Sequence, residues 1–210
     1  MTTSREAERT RTRYNRIAPI YNAMEWIVER VAFRAWRAKL WSQLGGYQRI
    51  LEVGVGTGKN FPYHPAGAEV MGVDLSERML AQAQQKRREL ETNVPLAQLD
   101  AQRMAFAADA FDAAVATFVF CSVPDPVQGL REIRRVVKPG GQVILLEHVR
   151  VNAPLIGSLM DLLDPLVVRV MGAHIKRHTE ENVRRAGLEI VNVESLMPGA
   201  LVKLIQAQAA

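Results

Sequence analysis

The 210-residue chain is 48% hydrophobic and 23% charged, a globular composition at a length that buries a sizeable core. Its net charge of +5 resides in residues 1–43, which hold nine Lys/Arg against four Glu and all three tryptophans; the remaining residues balance, 18 basic against 18 acidic. Cys121 is the only cysteine, which excludes an internal disulfide and a cysteine-built metal centre.

In chain order, residues 4–15 are helix-compatible and highly charged, with Arg5, Arg9, Arg13 and Arg16 on one helical face. Pro19 is expected to interrupt this helix, and Tyr-Asn recurs at 14–15 and 21–22. A second helix is expected over residues 22–44, stopping at Gly45-Gly46. Arg30, Arg34 and Arg37 make a basic stripe in line with Trp41, and with Trp26 and Trp36 nearby the segment suits an anionic lipid surface. The organisation expected is therefore a basic, tryptophan-bearing helical segment at 1–46, then a single domain at 47–210.

Ile50, Leu51 and Val53 form a first buried strand that runs straight into Gly54, Gly56 and Gly58. Glycines there let the backbone turn tightly and approach a ligand closely. A second strand at 69–73 ends at Asp74, and Ser76 is the N-cap of a helix over 77–91. A third strand at 95–99 ends at Asp100. The near-continuous apolar run at 111–120 is a fourth strand, buried on both faces as in a parallel sheet. Asp125-Pro126 opens a helix to Val137, Lys138-Pro139-Gly140-Gly141 closes it, and 142–148 is a fifth strand. Residues 153–171 suggest an apolar lid, 177–186 a polar helix, and 188–193 and 201–206 two final strands. This alternation predicts an α/β fold: a Rossmann-like, doubly wound, seven-stranded, mostly parallel sheet with an N-terminal helical extension and a site at the strand C-termini.

A dinucleotide fold also offers a glycine turn followed by an acid about 20 residues on, and Asp74 sits at that distance from Gly54. Three features point elsewhere. Lys59 stands where the third dinucleotide glycine belongs. Glu52 places a carboxylate that would repel a pyrophosphate but not a cationic cofactor, and Asp100 supplies a second acid able to meet an adenine amino group.

In combination, Glu-Val-Gly-Val-Gly-Thr-Gly at 52–58, Gly-Val-Asp-Leu-Ser at 72–76, Leu-Asp-Ala at 99–101, Phe-Asp-Ala-Ala at 111–114 and Leu-Arg-Glu-Ile-Arg-Arg-Val-Val-Lys-Pro-Gly-Gly at 130–141 resemble the class I S-adenosylmethionine-dependent methyltransferases. The resemblance implies S-adenosylmethionine as cofactor. Gly54, Gly56 and Gly58 would hold its methionine end, with Glu52 beside them. Asp74 with Leu75 would hold the ribose, Asp100 and the backbone of Ala101 the adenine, and the residues from Thr117 to Ser122 would lie along it.

The flanks resemble a branch of that family that contains quinone C-methyltransferases and small bacterial phosphatidylethanolamine N-methyltransferases. They do so through Arg13 to Asn22, Phe120-Cys121-Ser122-Val123-Pro124-Asp125-Pro126, Leu146-Glu147-His148-Val149 and Arg177-His178-Thr179-Glu180-Glu181-Asn182. Asn22 stands where the quinone enzymes commonly have Asp. The expectation is a phospholipid amine as acceptor, with a quinone carbon, an alkyl thiol or another small molecule as the alternative. Candidates for the chemistry are Glu147 and His148 at the end of strand five, with Tyr14 and Tyr21 folding over the site. Lys176, Arg177 and His178, with Arg169 and His174, are candidates to bind a lipid phosphate. His64 has no partners at metal-ligand spacing, so no metal is expected. A nucleic-acid partner is not expected either, because Cys121-Ser122-Val123-Pro124 stands where methylases of base amines carry an Asn/Asp-Pro-Pro-aromatic stretch. The N-terminus shows no signal-peptide pattern, and no run of about 18 apolar residues offers a membrane span. A monomer in the cytoplasm, peripherally attached to an anionic membrane, is the expected state.

Overall fold

A computed structural model describes residues 2–28, 33–150, 158, 162, 164, 177–197 and 201–209, and the side chains of 2–4 and 20–28 lie outside the description. The strands are β1 (Arg49–Val53), β2 (Glu69–Asp74), β3 (Leu96–Gln98), β4 (Phe111–Thr117), β5 (Val137–His148), β6 (Leu188–Ser195) and β7 (Val202–Ala209). The helices are α1 (Thr2–Val28), α2 (Arg34–Trp41), α3 (Glu77–Glu89), α4 (Pro126–Val136) and α5 (Thr179–Arg185). All seven strands join one sheet in the order β3-β2-β1-β4-β5-β7-β6. The pairs among β1 to β5 are parallel, and β7 runs antiparallel to both β5 and β6. The Rossmann-like, mostly parallel sheet expected from the sequence is the sheet observed.

Alternation along the strands divides the core between two faces. Leu51 and Val53 of β1, Ala114 and Ala116 of β4, and Val143 and Leu145 of β5 join the face packed by Leu130 and Ile133 of α4 and Val183 of α5. Ile50, Ala113, Val115, Ile144 and Leu146 point the other way, against Leu40 and Trp41 of α2 and Leu44. Each Val, Leu or Ile among these, fully removed from water, contributes about 1.5–3 kcal/mol. The sheet is thus buried on both sides, which leaves the strand ends to build a site.

Caps fix the two helices beside that edge. Ser76 Oγ accepts from Met79 N at 3.1 Å to start α3, and Asp125 Oδ1 accepts from Gln128 N at 2.9 Å to start α4, where Pro126 follows in the first turn.

The N-terminal segment differs from expectation in two ways. First, α1 runs straight through Pro19. Proline removes the N–H that would bond the carbonyl four residues earlier, that of Asn15. Arg78 Nη1 of α3 donates to that carbonyl instead, at 3.3 Å, and Gln82 Nε2 donates to Ala18 O. Second, the Arg37–Trp41 part of the expected basic stripe is not on the surface. Arg37 is 6% exposed and Trp41 1%; the guanidinium donates to Asn60 Oδ1 at 2.8 Å, and the indole packs 4.4 Å from the His64 ring. Trp36 is half-buried, 5.5 Å from Phe33. The side chains of Trp26 and Arg30, and the lid expected at 153–171, fall largely or wholly outside the described residues.

No described helix is long and apolar enough to cross a membrane.

Candidate functional site

At the C-terminal edge, β1 ends in a turn in which Gly54, Gly56 and Gly58 have φ of 70°, 56° and 79°. These are left-handed conformations that side chains resist. A Cβ on Gly54 would lie 2.3 Å from Val119 Cγ2, and one on Gly58 would lie 2.5 Å from the Phe61 ring. At Gly56 the nearest atom is Gly54 O at 4.0 Å, so that backbone borders open space.

That space is a cavity open to solvent. Gly54, Gly56, Asp74, Leu75, Asp100, Ala101 and Thr117 all line it, together with Met79 and Leu99. Phe118, Val119, Ser122, Val123 and Pro124 form the wall after β4. Thr10 and Tyr14 of α1 close the outer side, and Tyr14 Oη lies 2.5 Å from Ser122 Oγ. Asn15 pins α1 at the opposite rim: its Oδ1 accepts from Ser76 Oγ at 2.6 Å, and its Nδ2 donates to Glu77 Oε1 at 2.7 Å. The helix therefore bridges the cavity from α3 to the loop after β4.

The two acids at the strand ends are held differently. Asp74 Oδ2 accepts from Gly56 N and Oδ1 from Ser76 N, both at 2.9 Å. Burial pushes its carboxyl above the ordinary range, against these backbone bonds. Each oxygen retains a lone pair for a further donor, such as a ribose hydroxyl. Asp100 accepts from Gln102 N at 2.9 Å and from Gln102 Nε2. Two carboxylates, a backbone that borders open space at Gly56, and apolar walls at Leu75, Met79 and Leu99 suit an adenosine with a cationic tail.

Other residues singled out in the sequence lie off the cavity. Gly58 shapes the turn against Phe61. Glu52 shares strand parity with Ile50 and so projects to the α2 face, 1% exposed, where Asn60 Nδ2 donates to its Oε1 at 2.7 Å and His64 Nε2 lies 2.9 Å from its Oε2. Asn60 Nδ2 also reaches Thr117 Oγ1 at 3.3 Å, so this buried network backs the cavity wall without entering it. Glu147 is 0% exposed and accepts from Val119 N and Phe120 N at 2.9 and 3.0 Å. Burial raises its carboxyl to about 7. His148 stacks on Phe118 at 4.5 Å between ring centres, on the opposite face of β5. Arg177 is half-buried and donates from Nη2 to Val123 O at 2.8 Å, turned toward the loop after β4; burial lowers its pKa. His178 flanks the start of α5 without capping it by its side chain. Burial pushes the Cys121 thiol up to about 12, which leaves it a packing group rather than a nucleophile. The Tyr21 side chain and Lys176, Arg169 and His174 lie outside the described residues. No group of His, Cys, Asp or Glu among the described residues is placed to hold a metal ion.

Asn60, and the pairings of Ser122 with Tyr14 and of Ser76 with Asn15, are what sequence reading passes over. Tyr14-Asn15 was visible as a repeated dipeptide, but neither its partner at Ser122 nor the one at Ser76 leaves a local signal.

Sheet order, glycine turn and paired acids define a Rossmann-like enzyme with a nucleoside-type cradle at its strand C-termini. Comparison with known proteins narrows this. Residues 51–145 match the methyltransferase domain family Methyltransf_11. The chain is 34% identical over 163 residues to the phosphatidylethanolamine N-methyltransferase of Cereibacter sphaeroides, covering 76% of this chain and 79% of that protein. It is also 34% identical over 160 residues to the ubiquinone/menaquinone biosynthesis C-methyltransferase UbiE of Syntrophotalea carbinolica, covering 74% and 68%. A solved methyltransferase from Thermotoga maritima, described as a possible histamine N-methyltransferase, shares the fold with a TM-score of 0.72 at 23% identity, over 96% of this chain and 100% of that one. Phosphoethanolamine N-methyltransferase 2 of Haemonchus contortus, solved with S-adenosyl-L-methionine, gives a TM-score of 0.64 at 26% identity, over 78% of this chain and 39% of that one. The chain belongs to the class I S-adenosylmethionine-dependent methyltransferases, and S-adenosylmethionine is its cofactor.

Proposed function

We propose that this enzyme methylates the amino nitrogen of phosphatidylethanolamine and of its mono- and dimethyl forms, toward phosphatidylcholine, at an anionic membrane surface. The observation that carries the reading is the 34% identity extending over 79% of a phosphatidylethanolamine N-methyltransferase. The geometry of α1 agrees with it. Thr10 and Tyr14, four residues apart, line the cavity, while Arg5, Arg9 and Arg16 are exposed and fall on the opposite side of the helix. One helix thus offers a cationic face outward and a cavity wall inward. Arginines near an anionic leaflet contribute about 1 kcal/mol each.

The bound cofactor supplies an electrophilic methyl carbon on a sulfonium. The task of this chain is to align the acceptor with it and to present the nitrogen unprotonated. An alkyl ammonium with a pKa near 10 costs about 4 kcal/mol to present neutral at pH 7. In this reading the Tyr14 Oη–Ser122 Oγ pair on the cavity wall accepts a hydrogen bond from the acceptor's N–H and orients the nitrogen, and the proton released on methylation passes to solvent. Thr117 and Phe118 border the same space. Arg177, bonded to Val123 O of the loop after β4, and its exposed neighbour His178 serve the headgroup phosphate. The cell would hold the enzyme on the inner face of its membrane.

The equal 34% identity to UbiE supports a second reading, methylation of a quinone ring carbon. One experiment separates the two. The enzyme is incubated with radiolabelled S-adenosylmethionine and vesicles of phosphatidylglycerol with phosphatidylethanolamine, or with a demethylated menaquinone in its place. Label in mono-, di- and trimethylated phosphatidylethanolamine is the expected result. Label only in the quinone replaces the first reading with the second, and label in neither removes both.

A further inference from the structure

Glu147 stands at the end of β5 beside the catalytic edge, in the position of a proton acceptor. Its surroundings assign it another task. Along β5, Val143 and Leu145 face the core beneath α4, and Glu147 continues that alternation inward. The carboxylate is 0% exposed and does not border the cavity. Between it and the cavity lies the loop after β4, and the carboxylate holds that loop by its backbone. Val119 N and Phe120 N both donate to Oε1, at 2.9 and 3.0 Å.

The loop requires such a hold. It opens with Phe118 at φ 56°, a left-handed conformation that a bulky side chain keeps only when its surroundings impose it. Phe118, Val119 and Ser122 all line the cavity. Val119 presses on the backbone of Gly54, where no Cβ would fit, and Ser122 holds the Tyr14 hydroxyl. A shift of the two tethered N–H groups therefore moves the cofactor cradle and the acceptor wall together. Arg177 braces the far end of the same loop through Val123 O.

We propose that Glu147 is a positioning residue of methyl transfer: acting through the backbone N–H groups of Val119 and Phe120, it fixes the wall shared by cofactor and acceptor, and it is not the base. The assignment applies to methyl transfer to any acceptor and is independent of the lipid reading. Val119 N and Phe120 N converge on one oxygen, the neighbouring backbone of Cys121 also favours the charged carboxylate, and Oε2 has no hydrogen-bond partner among the described residues. Glutamine can thus present its carbonyl oxygen at Oε1 and keep both bonds, although it cannot take up a proton at neutral pH.

The test is calorimetric binding of S-adenosylhomocysteine to wild type, Glu147→Gln and Glu147→Ala, beside kcat and KM for S-adenosylmethionine with whichever acceptor is turned over. Glu147→Gln is expected to bind within about threefold of wild type and to keep kcat within about threefold, since the two hydrogen bonds survive. Glu147→Ala is expected to bind about tenfold or more weakly, with KM for S-adenosylmethionine rising in step. Where Glu147→Ala yields no folded protein, Glu147→Asp replaces it, because a carboxylate withdrawn by one methylene pulls the loop and predicts the same loss. A Glu147→Gln enzyme with intact binding and kcat reduced about a hundredfold overturns the proposal and makes Glu147 the proton acceptor. Wild-type affinity in the alanine or aspartate variant overturns it as well, as does a glutamine variant that loses binding as fully as alanine.

Discussion

Replacing Gly54 with alanine sets a methyl carbon 2.3 Å from Val119 Cγ2 and 3.0 Å from Val119 Cγ1, on a backbone held at φ 70°. Two costs add. A residue with a Cβ in the left-handed region loses about 1–2 kcal/mol relative to glycine. Rotating the Val119 side chain does not relieve the clash in full, because Val119 Cβ itself lies 3.2 Å from the added carbon and Val119 N is tethered to Glu147; forcing extra volume into such a packed contact costs about 1–3 kcal/mol. The unfolding free energy of Gly54→Ala should therefore fall by about 2–5 kcal/mol in urea titration. Because the displaced atoms line the cavity, affinity for S-adenosylhomocysteine should fall by about thirtyfold or more if only 2 kcal/mol of the strain is felt in the bound form. Gly67→Ala is the control. Its φ of 82° is equally left-handed, but nothing lies within 4 Å of its added Cβ, so it should lose only about 1–2 kcal/mol and bind normally. Gly54→Ala and Gly67→Ala with equal stabilities and equal affinities would refute the packing argument.

Three further outcomes are expected. Asn60→Ala leaves Glu52 Oε1 and the buried Arg37 without their shared partner and should lower the urea-derived unfolding free energy by about 3 kcal/mol; a loss within 0.5 kcal/mol would mean that water replaces the amide freely. The Glu147 carboxyl, raised from 4.5 to about 7 by burial, contributes stability that is complete below pH 4.5 and is lost as pH rises through 7, about 3 kcal/mol in all; wild type should thus lose ground to Glu147→Gln between pH 5 and pH 8, and parallel stability curves would contradict this. Asp125→Ala removes the α4 cap and should cost about 1 kcal/mol in thermal or urea unfolding, whereas an unchanged midpoint would show the cap to be dispensable.

The sheet and its cradle were legible because their signals are local. Apolar runs such as 111–117 mark strands buried on both faces, glycines mark the turn, and Asp74 and Asp100 follow strand ends directly. What escaped local reading depends on partners distant in sequence. Pro19 looked like a helix end because the repair of the Asn15 carbonyl comes from Arg78 on another helix. Arg37 reads as part of a basic surface stripe because nothing near it announces Asn60, 23 positions on, as its acceptor. Tyr14 was visible as a candidate, but Ser122, 108 positions away, was not visible as its partner. Glu147 is a different case. The inward parity of Val143 and Leu145 was in the sequence and pointed the carboxylate into the core; reading the strand end as an open mouth concealed it.

The placement of β7 bears on how this chain is made. Residues 202–209 lie between β5 and β6, so two earlier strands remain unpaired along those flanks until the final described strand arrives. The cofactor turn and its acids, all within residues 52–100, leave the ribosome long before that. During synthesis the nascent cradle therefore waits beside an unfinished sheet with β5 bare along one side, the interval in which a chaperone, or a neighbouring nascent chain, has most opportunity to bind it.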